Sequence, residues 1–149
     1  MTREVIEMVI LVADDDEGHI RLLEKNLKRA GLRNDLLRFE NGQDILDFLF
    51  CRNATQTGID ISRYLLLIDI RMPKIDGIEV IRRIKADCEL CKLPVIMLTT
   101  TDHPRETSHC EQLGCSYIFK PVDFEKFSNT IKELGLFISL VQTQSIKSI

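Results

Sequence analysis

Polar residues with chemical potential follow four apolar runs in this chain. Asp14-Asp15-Asp16 follow Met8 to Ala13, and Asp69 follows Leu65 to Ile68. Thr99-Thr100-Thr101 follow Val95 to Leu98, and Lys120-Pro121 follow Ser116 to Phe119. Brought together, Asp14, Asp15 and Asp69 would repel one another and their pKa values would rise unless a cation joined them. An oxygen-only, partly solvated cluster suits Mg²⁺, or Mn²⁺ as a similar hard ion. A carboxylate beside such an ion can attack a phosphoryl group and become an aspartyl phosphate. Phosphoryl transfer also needs its equatorial oxygens neutralised, and the Lys120 ammonium, the Thr99 hydroxyl and backbone N–H groups could share that work with the metal.

For this chemistry the four runs must end at one place. Leu65 to Ile68 is an unbroken apolar run of strand length, which suits a strand buried on both faces. Met8 to Ala13 reads the same way. Ile20, Leu23, Leu27 and Ala30 recur at helical spacing between a cap at Asp16 and a stop at Gly31. Leu36 to Phe39 is a short strand, Asn41-Gly42 a turn, and Ile45, Leu46, Phe48 and Leu49 the stripe of a second helix. Arg52 to Arg63 lacks periodicity and reads as a surface loop. Asp76-Gly77 turns into a third helix carrying Ile78, Ile81 and Ile84, and Pro104 opens a fourth that ends near Gly114. Asp123 caps a fifth helix running to Val141, with Phe124, Phe127, Ile131, Leu134, Ile138 and Val141 on its apolar side; the tail, 142–149, is polar. Strands and helices alternate, which gives a parallel α/β sheet with helices on both faces. Ligands of such sheets bind at the carboxyl ends of the strands.

The 149 residues suit one domain. With 44% hydrophobic and 29% charged residues, the composition is that of an ordinary globular protein. The net charge of −3 gives no electrostatic reason to expect nucleic acid or an anionic membrane as partner. The expected location is the cytoplasm: acids interrupt the opening residues, no apolar stretch reaches membrane-spanning length, and five scattered cysteines suit a reducing compartment. Cys88-Glu-Leu-Cys91 has metal-site spacing, but nothing places Cys110 or Cys115 near it, so surface thiols are the better reading.

The runs Ile-Leu-Val-Ala-Asp14-Asp15-Asp16, Asp69-Ile-Arg-Met-Pro-Lys-Ile-Asp-Gly77, Leu98-Thr99-Thr100 and Tyr117-Ile-Phe-Lys120-Pro121 occur in the order found in one known family. Over residues 8–141 the chain resembles the receiver domain of two-component response regulators. The stretch before Tyr64, Lys85-Ala-Asp87 and Thr99-Thr100-Thr101 resemble the stand-alone regulators paired with phytochrome histidine kinases. The resemblance implies a single receiver domain with a flavodoxin-like sheet in the order 2-1-3-4-5 and five helices. It implies that Asp69 accepts a phosphoryl group from a sensor histidine kinase. Asp15, Asp69 and the Arg71 backbone carbonyl would hold Mg²⁺, with Asp14 acting through a metal-bound water. Lys120 would contact the phosphoryl group, Thr99 and Tyr117 would form a switch pair, and the Lys120-Pro121 bond would be cis. Changes at Arg71 and Thr101 would alter the lifetime of the phosphorylated form.

The resemblance further implies no turnover beyond self-phosphorylation and slow dephosphorylation. Output would pass through the surface of the fourth helix, fifth strand and fifth helix, whose apolar end at Phe137 and Leu140 covers the first helix or meets a second copy. Three other classes are weighed against this. A dehalogenase-type phosphatase wants Asp-x-Asp-x-Thr/Val, which Asp14-Asp15-Asp16-Glu17-Gly18 does not supply. A flavin carrier wants Ser, Thr and Gly where this chain has acids. A constitutive interaction module would not need Asp15, Asp69, Thr99 and Lys120 together.

Overall fold

Asp16, Asn41 and Asp76 each end an extended segment and begin a helix, and the side chain of each accepts an otherwise orphaned backbone N–H. Asp16 Oδ1 accepts from Gly18 and His19 at 2.9 and 3.2 Å. Asn41 Oδ1 accepts from Asp44 at 2.9 Å, and Asp76 Oδ1 from Glu79 at 2.9 Å. Caps of this kind contribute about 1 kcal/mol each. The backbone bond from His19 also holds the exposed Asp16 carboxyl below its usual value.

The computed structural model describes residues 8–29, 34–54, 61–99, 104–120 and 124–133. Strands β1 (Val9–Ala13), β2 (Leu36–Phe39), β3 (Tyr64–Asp69), β4 (Val95–Thr99) and β5 (Ser116–Phe119) form one sheet in the order β2-β1-β3-β4-β5. Every pairing is parallel. Helices α1 (Glu17–Arg29), α2 (Gly42–Ala54), α3 (Gly77–Ala86), α4 (Pro104–Leu113) and α5 (Phe124–Glu133) connect or follow the strands. This is the flavodoxin-like arrangement expected from the sequence. No helix among the described residues is long and apolar enough to cross a membrane.

Side chains alternate between the two faces of the sheet, and the core divides accordingly. Ile10, Val12, Leu65, Leu67, Ile96, Leu98 and Ile118 pack with Ile20, Leu23 and Leu27 of α1 and Phe127 of α5. Leu11, Ala13, Leu66, Ile68, Val95 and Met97 pack on the other face with Ile45 and Leu49 of α2, Ile81 and Ile84 of α3, and Cys110 of α4. The central strands are buried on both faces, which explains why they read as continuous apolar runs.

The local assignments differ from the sequence reading in three places. Asn41-Gly42 is a cap and helix start rather than a free turn. Helix α2 continues to Ala54, and a 3₁₀ turn occupies Ile61–Arg63, so the expected loop from Arg52 to Arg63 is shorter at both ends. A second 3₁₀ turn, Leu90–Lys92, follows α3 where no element was expected. Asp87 organises it by accepting from Glu89 and Leu90 N–H, each at 2.9 Å. Cys88 and Cys91 are exposed thiols beside this turn, as expected. Cys110 and Cys115 are buried, and burial pushes the Cys110 thiol up to about 11. Ala30 and Gly31, Thr100 and Thr101, Pro121, Asp123, and the continuation of the last helix through Phe137 and Leu140 to Val141, with the tail, lie outside the described residues.

Two glycines are required by close backbone approach. A Cβ on Gly42 would overlap the Ile75 carbonyl, and one on Gly77 would overlap the Asp69 carbonyl. The Ile75 carbonyl belongs to the β3–α3 connection, and the Asp69 carbonyl ends β3 where that connection begins. Within it, Ile75 N–H donates to the Pro73 carbonyl at 2.9 Å across Lys74, whose φ is 68°. That three-residue turn is strained for a residue with a side chain. The Gly77 N–H donates to the Ile70 carbonyl at 2.7 Å and closes the connection.

Candidate functional site

Strand register places the acids. Ala13 pairs with Ile68, so one step further along the two strands Asp14 stands beside Asp69. Both share the face of Val12 and Leu67, the α1 side. Lys120 follows β5 with the same parity as Ile118 and joins that side. Its N–H extends the ladder by one bond, donating to the Thr99 carbonyl at 2.7 Å.

Lys120 Nζ lies 2.9 Å from Asp14 Oδ2 and 3.1 Å from Asp69 Oδ2. All three side chains are largely withdrawn from solvent, at 8%, 1% and 13% exposure. Asp14 Oδ1 accepts the Asp16 N–H at 2.9 Å, and Asp69 Oδ1 accepts from Arg71 N–H at 3.4 Å. Burial raises the Asp69 carboxyl above its ordinary value, aided by the Asp14 charge. The Lys120 ammonium and the Arg71 N–H oppose the rise without cancelling it. Asp69 is thus a carboxylate held in an environment that resists its charge.

Asp15 is exposed, yet it completes the cluster. One carboxylate oxygen from each of Asp14, Asp15 and Asp69 lies within 4.8 Å of the others. Three hard oxygen donors of mixed burial fit Mg²⁺ or Mn²⁺, ions that keep part of their water shell. The structure therefore brings together four of the residues expected from the sequence, Asp14, Asp15, Asp69 and Lys120.

Thr99 and Tyr117 are placed differently. Thr99 has the parity of Val95 and Met97, so its side chain lies on the α4 face, opposite to that of Asp69. Its hydroxyl donates to Glu106 Oε2 at 2.8 Å. Tyr117 packs against the same layer, half-buried, with its ring centroid 5.7 Å from that of Phe119. Thr99 is only 2% exposed, so this hydroxyl is a paired buried group.

Two participants escaped the sequence reading. His19 Nδ1 is 2.9 Å from Lys120 Nζ. An ammonium has only donors, so in this contact Lys120 donates and Nδ1 accepts. The three N–H groups of Lys120 thus reach Asp14, Asp69 and His19. The available signal was position: His19 is in the first turn of α1, directly beyond the acids. Glu106 is the second, in the first turn of α4. It accepts from Thr99 through one oxygen and from Arg71 Nε through the other, at 2.8 Å in each case.

The response regulator receiver domain family matches residues 10–132. This chain belongs to that family. The receiver is similar to the polar-differentiation response regulator DivK of Brucella anthropi, with 31% identity over 124 residues, 83% of this chain and 92% of that protein. Among solved structures it is similar to the bacteriophytochrome response regulator RtBRR. The TM-score is 0.74 at 30% identity, covering 88% of this chain and 80% of that one. It is also similar to the phosphorylated cyanobacterial phytochrome response regulator RcpA. There the TM-score is 0.67 at 25% identity, covering 88% of this chain and 93% of that one. Receivers of this family bind a divalent metal at an acidic cluster and act with histidine kinases as signalling domains.

Proposed function

We propose that this receiver is a single domain that accepts a phosphoryl group on Asp69 from a phosphohistidine of a sensor kinase, in the cytoplasm, and reports it through protein contacts. The observation that carries the reading is Lys120 Nζ set between the Asp14 and Asp69 carboxylates, within a three-acid cluster at the carboxyl edge of the sheet. An Asp69 oxygen attacks phosphorus, the O–P bond forms, and the P–N bond to the kinase histidine breaks. Lys120 moves from the carboxylates to a phosphoryl oxygen, a short displacement for a side chain already in contact with the acceptor. Asp15, Asp69 and the Arg71 carbonyl would hold Mg²⁺ or Mn²⁺, with Asp14 acting through a water. When bound, the metal would neutralise phosphoryl oxygens. Nothing beyond self-phosphorylation and slow loss of the group is catalysed. The likeness to RtBRR and RcpA supports a kinase of the phytochrome type.

Mass spectrometry after incubation with Mg²⁺ and acetyl phosphate tests the reading. The parent gains one phosphoryl group, labile to base as an acyl phosphate is. A stable adduct on Ser, Thr or His instead would sink the proposal. In the same assay Lys120→Ala keeps most of its Mg²⁺ affinity, because the ammonium contacts the phosphoryl group and not the metal. It is phosphorylated at least about tenfold more slowly, the scale of one charge-assisted bond lost. Equal rates for parent and variant would remove Lys120 from the mechanism.

The reporting surface is α4, β5 and α5, because Thr99 and Tyr117 bear on it. A second copy of the chain is the simplest partner for this face. Sedimentation with and without beryllofluoride should show association that depends on the acyl-phosphate mimic, and a monomer in both conditions rules the second copy out.

A further inference from the structure

Glu106 joins three segments with one carboxylate. Oε2 accepts the Thr99 hydroxyl from the end of β4, and Oε1 accepts Arg71 Nε from the β3–α3 connection, two residues past Asp69. The carboxylate itself belongs to the first turn of α4 and is 12% exposed, whereas Arg71 is 65% exposed. A half-buried charge with two charge-assisted bonds is firmly held.

A threonine hydroxyl has one proton to donate. It cannot be given to Glu106 and to a phosphoryl oxygen on Asp69 at once. Thr99 also occupies the α4 face, whereas Asp69 occupies the α1 face, so the hydroxyl must leave Glu106 before it can reach around the edge of the sheet. A phosphoryl group on Asp69 adds about −1.5 to −2 charges, and Glu106, tied through Arg71 to the residue two past Asp69, carries charge of the same sign. Both effects act in the same direction: phosphorylation and the Thr99–Glu106 bond exclude each other.

We propose that Glu106 is a positioning residue that holds the Thr99 hydroxyl away from Asp69 in the unphosphorylated receiver, so that release of this bond is what frees the first turn of α4. The proposal rests on the reading of Asp69 as phosphoacceptor and Thr99 as the group that follows it. Arg71 fixes the second oxygen of Glu106 and so keeps the carboxylate in place. A protein locked by this bond is competent to bind an acyl-phosphate group for only a fraction of the time, and apparent affinity is reduced by that fraction.

The test is a double-mutant cycle with Glu106→Ala and Thr99→Val, read by beryllofluoride affinity in the presence of Mg²⁺. Glu106→Ala binds beryllofluoride roughly tenfold more tightly than the parent, the size of one charge-assisted bond released. In the Thr99→Val background, where there is no hydroxyl to hold, the same change gives no gain. A merely structural glutamate would lower stability and act alike in both backgrounds, and that result overturns the proposal. So does a Glu106→Ala protein that binds no more tightly than the parent. Should Glu106→Ala fail to fold, Glu106→Gln keeps the shape, removes the charge and is expected to show a smaller gain. Independently of any ligand, the Thr99 methyl resonance of metal-free Glu106→Ala moves toward its position in the beryllofluoride-bound parent, and an unmoved resonance counts against the proposal. A parent that binds no beryllofluoride defeats the phosphoacceptor reading itself, an outcome separate from all of these, and the proposal falls with it.

Discussion

An Asp69→Asn receiver gains no phosphoryl group from acetyl phosphate under conditions that phosphorylate the parent, and in metal-free buffer at neutral pH it is the more stable of the two. The first result follows from removing the nucleophile, since an amide oxygen is too weak to attack phosphorus. The second follows from burial. The Asp69 carboxyl is raised above its ordinary 3.8, chiefly because burial penalises its charge. A raised acid contributes stability that is complete below the unfolded value and is lost as pH rises through the folded value. The parent carries that loss at neutral pH and the amide does not. Denaturation at neutral pH should therefore favour the variant, with the gap closing as pH falls below about 4. With Mg²⁺ added the order narrows or reverses, because the variant has surrendered a metal ligand. A variant less stable than the parent at neutral pH without metal, or one still phosphorylated at position 69, contradicts this account.

The second large effect comes from a residue outside the chemistry. Gly42→Ala forces a Cβ into the Ile75 carbonyl. The obstacle is backbone within a connection already strained at Lys74, so relief by a side-chain shift is not available. Overpacking of this kind costs about 3 kcal/mol, the upper end of its usual range. For a chain of this length that is a fall in Tm of roughly 10 °C. Gly114 provides the control: its φ is 70° but nothing lies within 4 Å of an added Cβ. Gly114→Ala therefore carries only the cost of backbone conformation, about 1 kcal/mol. Equal Tm values for the two variants would show that the Gly42 contact is not a constraint. Because Ile75 leads directly into Asp76 and Gly77, Gly42→Ala should also disturb the approach to Asp69 and lower the phosphorylation rate.

The sheet was legible because burial on both faces leaves an unbroken mark. Leu65 to Ile68 and Val95 to Leu98 can hardly be anything but central strands, and a polar residue at the end of each locates the carboxyl edge. Asp14, Asp69 and Lys120 were legible for the same reason, each stopping an apolar run, and Asp15 by following Asp14. Helix α2 was read short because Arg52 and Asn53 carry no apolar stripe. The 3₁₀ turn at Leu90–Lys92 was missed because one bifurcated Asp87 acceptor, not periodicity, organises it. His19 and Glu106 were invisible for a different reason. Each is a single polar residue in the first turn of a helix, where polar residues are ordinary, and only tertiary placement distinguishes them. The opposite facing of Thr99 and Asp69 was available from strand parity together with register, but register is a property of pairing that one strand's sequence does not state.

The division of polar groups between the two faces of the sheet separates what selection can alter from what it must keep. Substitutions in the layer beneath α4, at Glu106 or around Tyr117, change how firmly Thr99 is held and what the outer surface presents. They leave Asp14, Asp69 and Lys120, which belong to the layer beneath α1, in place. One reagent can thus be retained while its audience is exchanged, and lineages that diverge in their readers need not reinvent the acid cluster. The sheet acts as a partition between the place of the acid cluster and the layer that sets how readily it is engaged.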